Sequence, residues 1–229
     1  EMEFERLFEK ATGFEPFPYQ RRLANAEQLP ARLSVPTGLG KTAATVLAWA
    51  WRRRFAPRSL RSKTPRRLVY CLPMRVLVEQ TRDCVLAWFD ELGLADDIEV
   101  HTLMGGDVGD DWDLYPERES VLVGTQDMLL SRALNRGYSM SRFRWPVQFG
   151  LLHSDCLWVM DEIQLMGTGL ATTTQLQAFR RLLGRGARTR SLWMSATMRP
   201  EWLDTVDFDL DADAPGEIGL APSDHDQPS

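Results

Sequence analysis

The 229-residue chain has little lysine, histidine or cysteine and no long apolar run. Lys10, Lys41 and Lys63 are the only lysines among 27 basic residues, so arginine supplies nearly all the positive charge. Cys71, Cys84 and Cys156 are odd in number and lack Cys-x-x-Cys spacing. That argues against a disulfide framework or a zinc site, and for buried free thiols in a reducing compartment. His101, His153 and His225 are scattered, and the His225-Asp226 pair lies in an acidic tail, so no protein-caged metal is expected. The longest apolar run, Ala43 to Trp51, is about half the ~20 residues that a membrane span needs. No basic-then-apolar leader opens the chain. A cytoplasmic protein without membrane contact is expected.

The net charge of −5 is unevenly placed. Eight acidic residues and no Lys or Arg lie from Asp204 onward, which leaves residues 1–203 net positive. The acidic balance of the whole therefore does not exclude a polyanionic partner for the body of the domain. Length and a hydrophobic content of 44% predict one α/β domain with a full core.

The most informative stretch is Pro36-Thr37-Gly38-Leu39-Gly40-Lys41-Thr42. Gly38 and Gly40 allow positive φ and close approach of backbone to a ligand. Several N–H groups can then converge on one phosphate at the start of a helix. Lys41 would reach the β- and γ-phosphates of ATP, and the Thr42 hydroxyl would ligate Mg²⁺. Val35 stands where the usual consensus has its first glycine, so the motif is Thr-Gly-x-Gly-Lys-Thr alone. The alternative is a glycine-rich strand–helix turn that binds nothing. A lysine here, in a chain that prefers arginine, suggests that a compact point charge is needed.

Strands are predicted at Leu33–Val35, Leu68–Leu72, Ile98–Leu103, Ser120–Val123, Leu157–Met160 and Leu192–Met194. Helices are predicted at 42–55, 74–92, 125–134, 169–183 and 200–206, with an amphipathic start around Phe4, Leu7 and Phe8 and a second helix near Tyr19–Gln28. The alternation argues for βα repeats and a parallel sheet with helices on both faces. The domain would run from 31 to 210, after a helical segment 1–30 and before an acidic linker or tail 211–229. Polar clusters at Pro36–Thr42, Pro73–Gln80, Gly124–Asp127, Asp161–Gln164 and Ser195–Thr197 each begin just after a predicted strand, where ligands bind in open α/β sheets.

Leu157–Met160 ends in Asp161-Glu162. Asp161 would hold Mg²⁺ and Glu162 would orient or deprotonate the attacking water. A solvated helix start is the alternative for such an acid pair. Thr37–Thr42, Asp161-Glu162-Ile163-Gln164 and Ser195-Ala196-Thr197 resemble motifs I, II and III of superfamily 2 helicases, in that order. The resemblance implies a RecA-like, P-loop NTPase fold with ATP and Mg²⁺ as cofactors, and Lys41, Asp161 and Glu162 as catalytic residues. Phe17-Pro18-Tyr19-Gln20 resembles the Q motif, with Gln20 reading adenine, or else is an ordinary helix start. Leu72–Gln80 resembles motif Ia, and Gly124-Thr125-Gln126-Asp127 the next strand-contacting motif. Arg75, Gly105, Gly106, Thr125 and Gln126 would then hold a nucleic-acid backbone. Helix capping by Thr125 and a tight turn at Gly105-Gly106 are the alternatives. Gln164, Ser195 and Thr197 would couple hydrolysis to strand movement, with an ST-type turn as the plainer reading of Ser195-Ala196-Thr197.

The stretch Gly137-Tyr138, Arg142-Phe143-Arg144-Trp145-Pro146, Phe149–Leu152 and Asp161–Gly167 resembles the CRISPR-associated type I helicase-nuclease. That resemblance implies single-stranded DNA, a CRISPR effector complex, and a second motor domain and metal-dependent nuclease outside this chain. No Gln-x-x-Gly-Arg-x-x-Arg pattern occurs, so the chain is expected to be a first motor domain that hydrolyses ATP poorly alone. Another superfamily 2 RNA or DNA motor, or a docking module on the same fold, remain as alternatives. The arginine-rich segment 52–67 reads as a DNA contact, an effector dock or a solvated loop. Phe143 and Trp145 within 135–156 read as partner contacts or as core edge.

Overall fold

The computed structural model describes residues 2–105, 111–137, 140–184, 188–210, 216–221 and 224. Seven strands form one sheet: β1 (Arg32–Ser34), β2 (Arg67–Leu72), β3 (Ile98–Leu103), β4 (Glu119–Thr125), β5 (Cys156–Met160), β6 (Arg190–Ser195) and β7 (Glu217–Gly219). Their order is β3-β4-β2-β5-β6-β1-β7, and every pairing is parallel. The helices are α1 (Phe4–Thr12), α2 (Pro18–Asn25), α3 (Lys41–Arg54), α4 (Arg58–Arg61), α5 (Arg75–Leu92), α6 (Gln126–Ala133), α7 (Trp145–Leu152) and α8 (Thr168–Leu182).

Alternation along each strand divides the core in two. Leu68, Tyr70 and Leu72 of β2, with Leu157 and Val159 of β5, face α1, α2, α3 and α5. Val69 and Cys71, with Trp158 and Met160, face α6 and α8. Both faces of the sheet are covered, which is why β2 and β5 read as unbroken apolar runs. Helix α3 is buried on all sides from Ala43 to Arg52, packed between the sheet and α1–α2. No helix among the described residues is long and apolar enough to cross a membrane.

Four elements differ from the sequence expectation, one of them the short helix α4 at Arg58–Arg61, which the sequence pattern does not predict. The helix expected at 200–206 is only a 3₁₀ turn, Pro200–Trp202. The chain then folds back on itself: Thr205 pairs with Phe208 in an antiparallel bridge, and Asp204 accepts a hydrogen bond from the Leu210 N–H at 3.0 Å. Helix α7 has no counterpart in the sequence pattern, because Trp145–Leu152 is apolar without periodicity. The segment 211–229, read as a linker or tail, supplies β7 at the edge of the sheet beside β1. Asp224, 7% exposed, then accepts from the N–H of Tyr19 at 2.7 Å and from Arg22 at 3.0 Å.

The arginine-rich segment lies at the amino-terminal edge of the sheet, and part of it is spent inside the protein, while Arg58, Arg61 and Lys63 are exposed. Arg52 is fully buried and bonds Thr64 and the carbonyls of Ala24 and Ala26. Arg53 and Arg54 share Glu119, and Arg67 bonds the carbonyls of Leu151 and Pro116. In the second basic stretch Arg144 pairs with buried Asp113, whereas Phe143 is 92% exposed; Tyr138 lies outside the described residues.

Candidate functional site

Beyond β1 the chain turns through Gly38 (φ 85°) and Gly40 (φ 73°), and α3 begins at Lys41. Glycine is required at the second of these on two counts. The backbone is left-handed, and a Cβ would stand 2.9 Å from Gln20 Nε2. Helix α2 braces the loop from behind. Gln20, 1% exposed, accepts from the Phe17 N–H at 2.8 Å and donates to the Gly40 carbonyl at 3.2 Å, while the Tyr19 hydroxyl donates to the Leu39 carbonyl. Gln20 is thus both a first-turn helix residue and a contact of the phosphate-loop candidate. An apolar cavity of about 770 Å³ opens beside the loop, lined by Phe8, Phe14, Phe17, Gln20, Leu39 and Trp88 among others.

Lys41 is 6% exposed. Its Nζ donates to the carbonyls of Val35 at 3.1 Å and Pro36 at 3.4 Å, and stands 3.9 Å from Glu162 Oε1. Loop and acid pair therefore meet across the gap between β1 and β5, with β6 between the two strands. Thr37 is exposed at the loop tip and Thr42 is half-buried. Asp161 follows β5, its N–H extending the ladder to the Cys71 carbonyl at 3.1 Å. Its Oδ1 accepts from the Glu162 N–H at 2.8 Å, and its Oδ2 from the Tyr70 hydroxyl at 2.7 Å. Burial pushes the Asp161 carboxyl above the usual range, and the Tyr70 bond partly offsets this.

Glu162 adopts φ 51°, a left-handed conformation costly for a residue with a Cβ. The turn that follows joins motif to motif. Glu162 Oε2 accepts from Gln164 Nε2, Gln164 Oε1 accepts from Ser195 Oγ at 2.9 Å, and Ser195 Oγ accepts from the Thr197 N–H at 3.0 Å. The last bond is the ST-type turn, so the turn and the link to Gln164 coexist. Lys41, Glu162, Gln164, Ser195 and Thr197 form one line of polar contacts.

No cluster of three or more His, Cys, Asp or Glu side chains that could hold a metal exists among the described residues. Such a site suits Mg²⁺, which takes one or two carboxylates and completes its shell with phosphates and water. Asp161 fits: it is a buried carboxylate with no cation in ion-pairing distance among the described residues. Asp161 hydrogen-bonds Tyr70, which sequence reasoning did not single out. The signal was slight, a lone phenol in the apolar run Leu68–Leu72.

The candidates for nucleic-acid contact sit at the carboxyl ends of β2, β3 and β4. Arg75 is exposed at the first position of α5 and has no ion pair or hydrogen bond among the described residues. Thr125 occupies the N-cap of α6 without a side-chain capping bond. Gln126 Oε1 is buried and unpartnered, close to where a Cβ on Gly169 would fall. Gly105 is exposed after β3, and Gly106 lies outside the described residues.

Comparison with known proteins agrees with this geometry. The DEAD/DEAH box helicase family matches residues 19–206. No curated protein matches the chain by sequence. Among solved structures, the DUF1998 helicase MrfA bound to DNA is 17% identical with a TM-score of 0.64, the alignment covering 95% of this chain and 29% of that one. The S. cerevisiae Dbp5 L327V structure bound to RNA and ADP BeF3 is 18% identical with a TM-score of 0.59, covering 96% and 50%. The yeast DEAD-box splicing factor Prp28 is 22% identical with a TM-score of 0.63, covering 94% and 48%. At these identities the likeness concerns the fold, and the chain spans half or less of each of these three structures.

Proposed function

The chain belongs to the DEAD/DEAH box helicase family, and from that premise we propose that it is the first motor domain of an ATP-driven DNA translocase serving type I CRISPR interference in the cytoplasm. The observation that supports an ATP site most directly is the 3.9 Å approach of Lys41 to Glu162, which puts a phosphate-binding cation beside an acid able to activate water. The N–H groups of residues 38–42 would bind the phosphates, with Thr37 and Leu39 at the edge of the loop. Lys41 would exchange its carbonyl partners for phosphate oxygens, a stronger charge-assisted contact. Gln20 and the apolar cavity would receive the adenine. Thr42 and Asp161 would hold the Mg²⁺, which when bound neutralises charge on the phosphates. Glu162, held by Gln164, would orient the attacking water and accept its proton. Gln164, Ser195 and Thr197 would pass any movement of Glu162 to the end of β6.

Arg75, Gly105, Gly106, Thr125 and Gln126 would grip the backbone of a single strand without reading bases. A second RecA-like domain would close over ATP and contribute arginine, and a metal-dependent nuclease and CRISPR effector complex would complete the machine. The choice of DNA rests on the resemblance of residues 137–167. The similarity to RNA-bound Dbp5 favours an RNA-stimulated motor as the second reading. Hydrolysis by the intact protein should rise with single-stranded DNA more than with single-stranded RNA of equal length. Stimulation by RNA alone would favour the second reading, and hydrolysis indifferent to both would remove the motor.

A further inference from the structure

Tyr70 is fully buried in β2, and its hydroxyl is a polar atom among apolar neighbours. That hydroxyl donates to Asp161 Oδ2 at 2.7 Å. A phenol has one proton to give. That proton is committed to the carboxylate, so Asp161 Oδ2 is fixed as the acceptor.

We propose that Tyr70 is a positioning residue for the divalent ion, holding the Asp161 carboxylate in the orientation that the ion needs. The carboxylate must present a free lone pair, and the bonds from Tyr70 to Oδ2 and from the Glu162 N–H to Oδ1 set the plane in which it does so. Groups that orient metal ligands in this way change metal affinity or activity by about 10- to 100-fold when removed.

This rests on the nucleotide–magnesium reading of the site, and the test separates the two. Mn²⁺ affinity is measured by electron paramagnetic resonance in the presence of a non-hydrolysable ATP analogue, alongside analogue binding in EDTA. Tyr70→Phe should weaken Mn²⁺ about tenfold to a hundredfold and leave metal-free binding of the analogue unchanged. Equal Mn²⁺ affinity in the two proteins overturns the role of Tyr70 while leaving the site intact. A wild-type protein whose analogue binding ignores Mn²⁺ removes the site reading, and this proposal with it. Tyr70→Leu also lacks the hydroxyl and has the same expected result if the phenylalanine variant does not fold.

Discussion

The carboxyl edge of the sheet has two halves that are built differently. Along β1, β5 and β6 the polar side chains bond one another: Lys41 meets Glu162, Glu162 meets Gln164, and Gln164 meets Ser195. Along β2, β3 and β4 the candidates stand apart, Arg75 exposed and unpaired among the described residues and Thr125 without a capping bond. Tyr70, on β2 between the halves, bonds only toward the first of them. Chemistry that requires atoms held to within a fraction of an ångström is preorganised, since the cost of ordering is met on folding rather than at reaction. Phosphate-backbone recognition tolerates looser placement, because it rests on charge and on backbone N–H groups.

Given that division, the first half should respond to substitution far more sharply. In the intact protein Glu162→Gln should lower ATP turnover by about 10²- to 10⁴-fold while ATP·Mg²⁺ still binds, as measured by phosphate release and fluorescent-analogue titration. Lys41→Ala should instead abolish binding of the nucleotide, and unchanged affinity would contradict the assignment of the loop. In the second half Arg75→Ala should weaken single-strand binding only a few-fold and reduce the salt slope by about 1. A loss there as large as that of Glu162→Gln would break the comparison, because it would mean that this half is also rigidly preset.

Acidification should register outside both halves, at the opposite edge of the sheet. His153, at the amino-terminal edge, has its Nε2 on the Ala133 carbonyl at 2.7 Å and receives the Arg180 guanidinium on Nδ1 at 3.0 Å. Burial and that cation push its pKa down to about 4. The folded pKa is depressed below the ordinary value near 6.5, so the unfolded chain binds the proton first. Stability should fall as pH drops from about 6.5 to about 4, by on the order of 2 kcal/mol, and level off below. Chemical denaturation of His153→Gln, which cannot take up that proton, should lose most of this slope, and an unchanged slope would refute the assignment.

Much of the fold and of the site is legible in the chain's own pattern. The apolar runs at Leu68–Leu72 and Leu157–Met160 fit strands buried on both faces, and the spacing of Gly38, Gly40 and Lys41 after β1 marks the left-handed turn into α3. The arginines of 52–67 are harder to read. As sequence they fit a DNA contact, a partner dock or a solvated loop, and Arg52, Arg53 and Arg67 tie α3 and β2 to neighbouring carbonyls and to Glu119. Nothing local reveals this, because most of their partners are distant in the chain. Strand β7 escapes notice for a related reason: Glu217-Ile218-Gly219 has no pattern of its own and becomes a strand only because β1 offers it an edge.

Composition, period and motif order by themselves determined the class of fold, the faces of each strand and the types of residue that reach the carboxyl edge. These are local consequences of side-chain chemistry and backbone period. Only the tertiary structure decided that Lys41 and Glu162 meet, that Tyr70 bonds Asp161, and that Arg52 and Arg67 of one basic run are buried. Each depends on contacts between residues far apart in sequence, and those distances are set by strand register and sheet order.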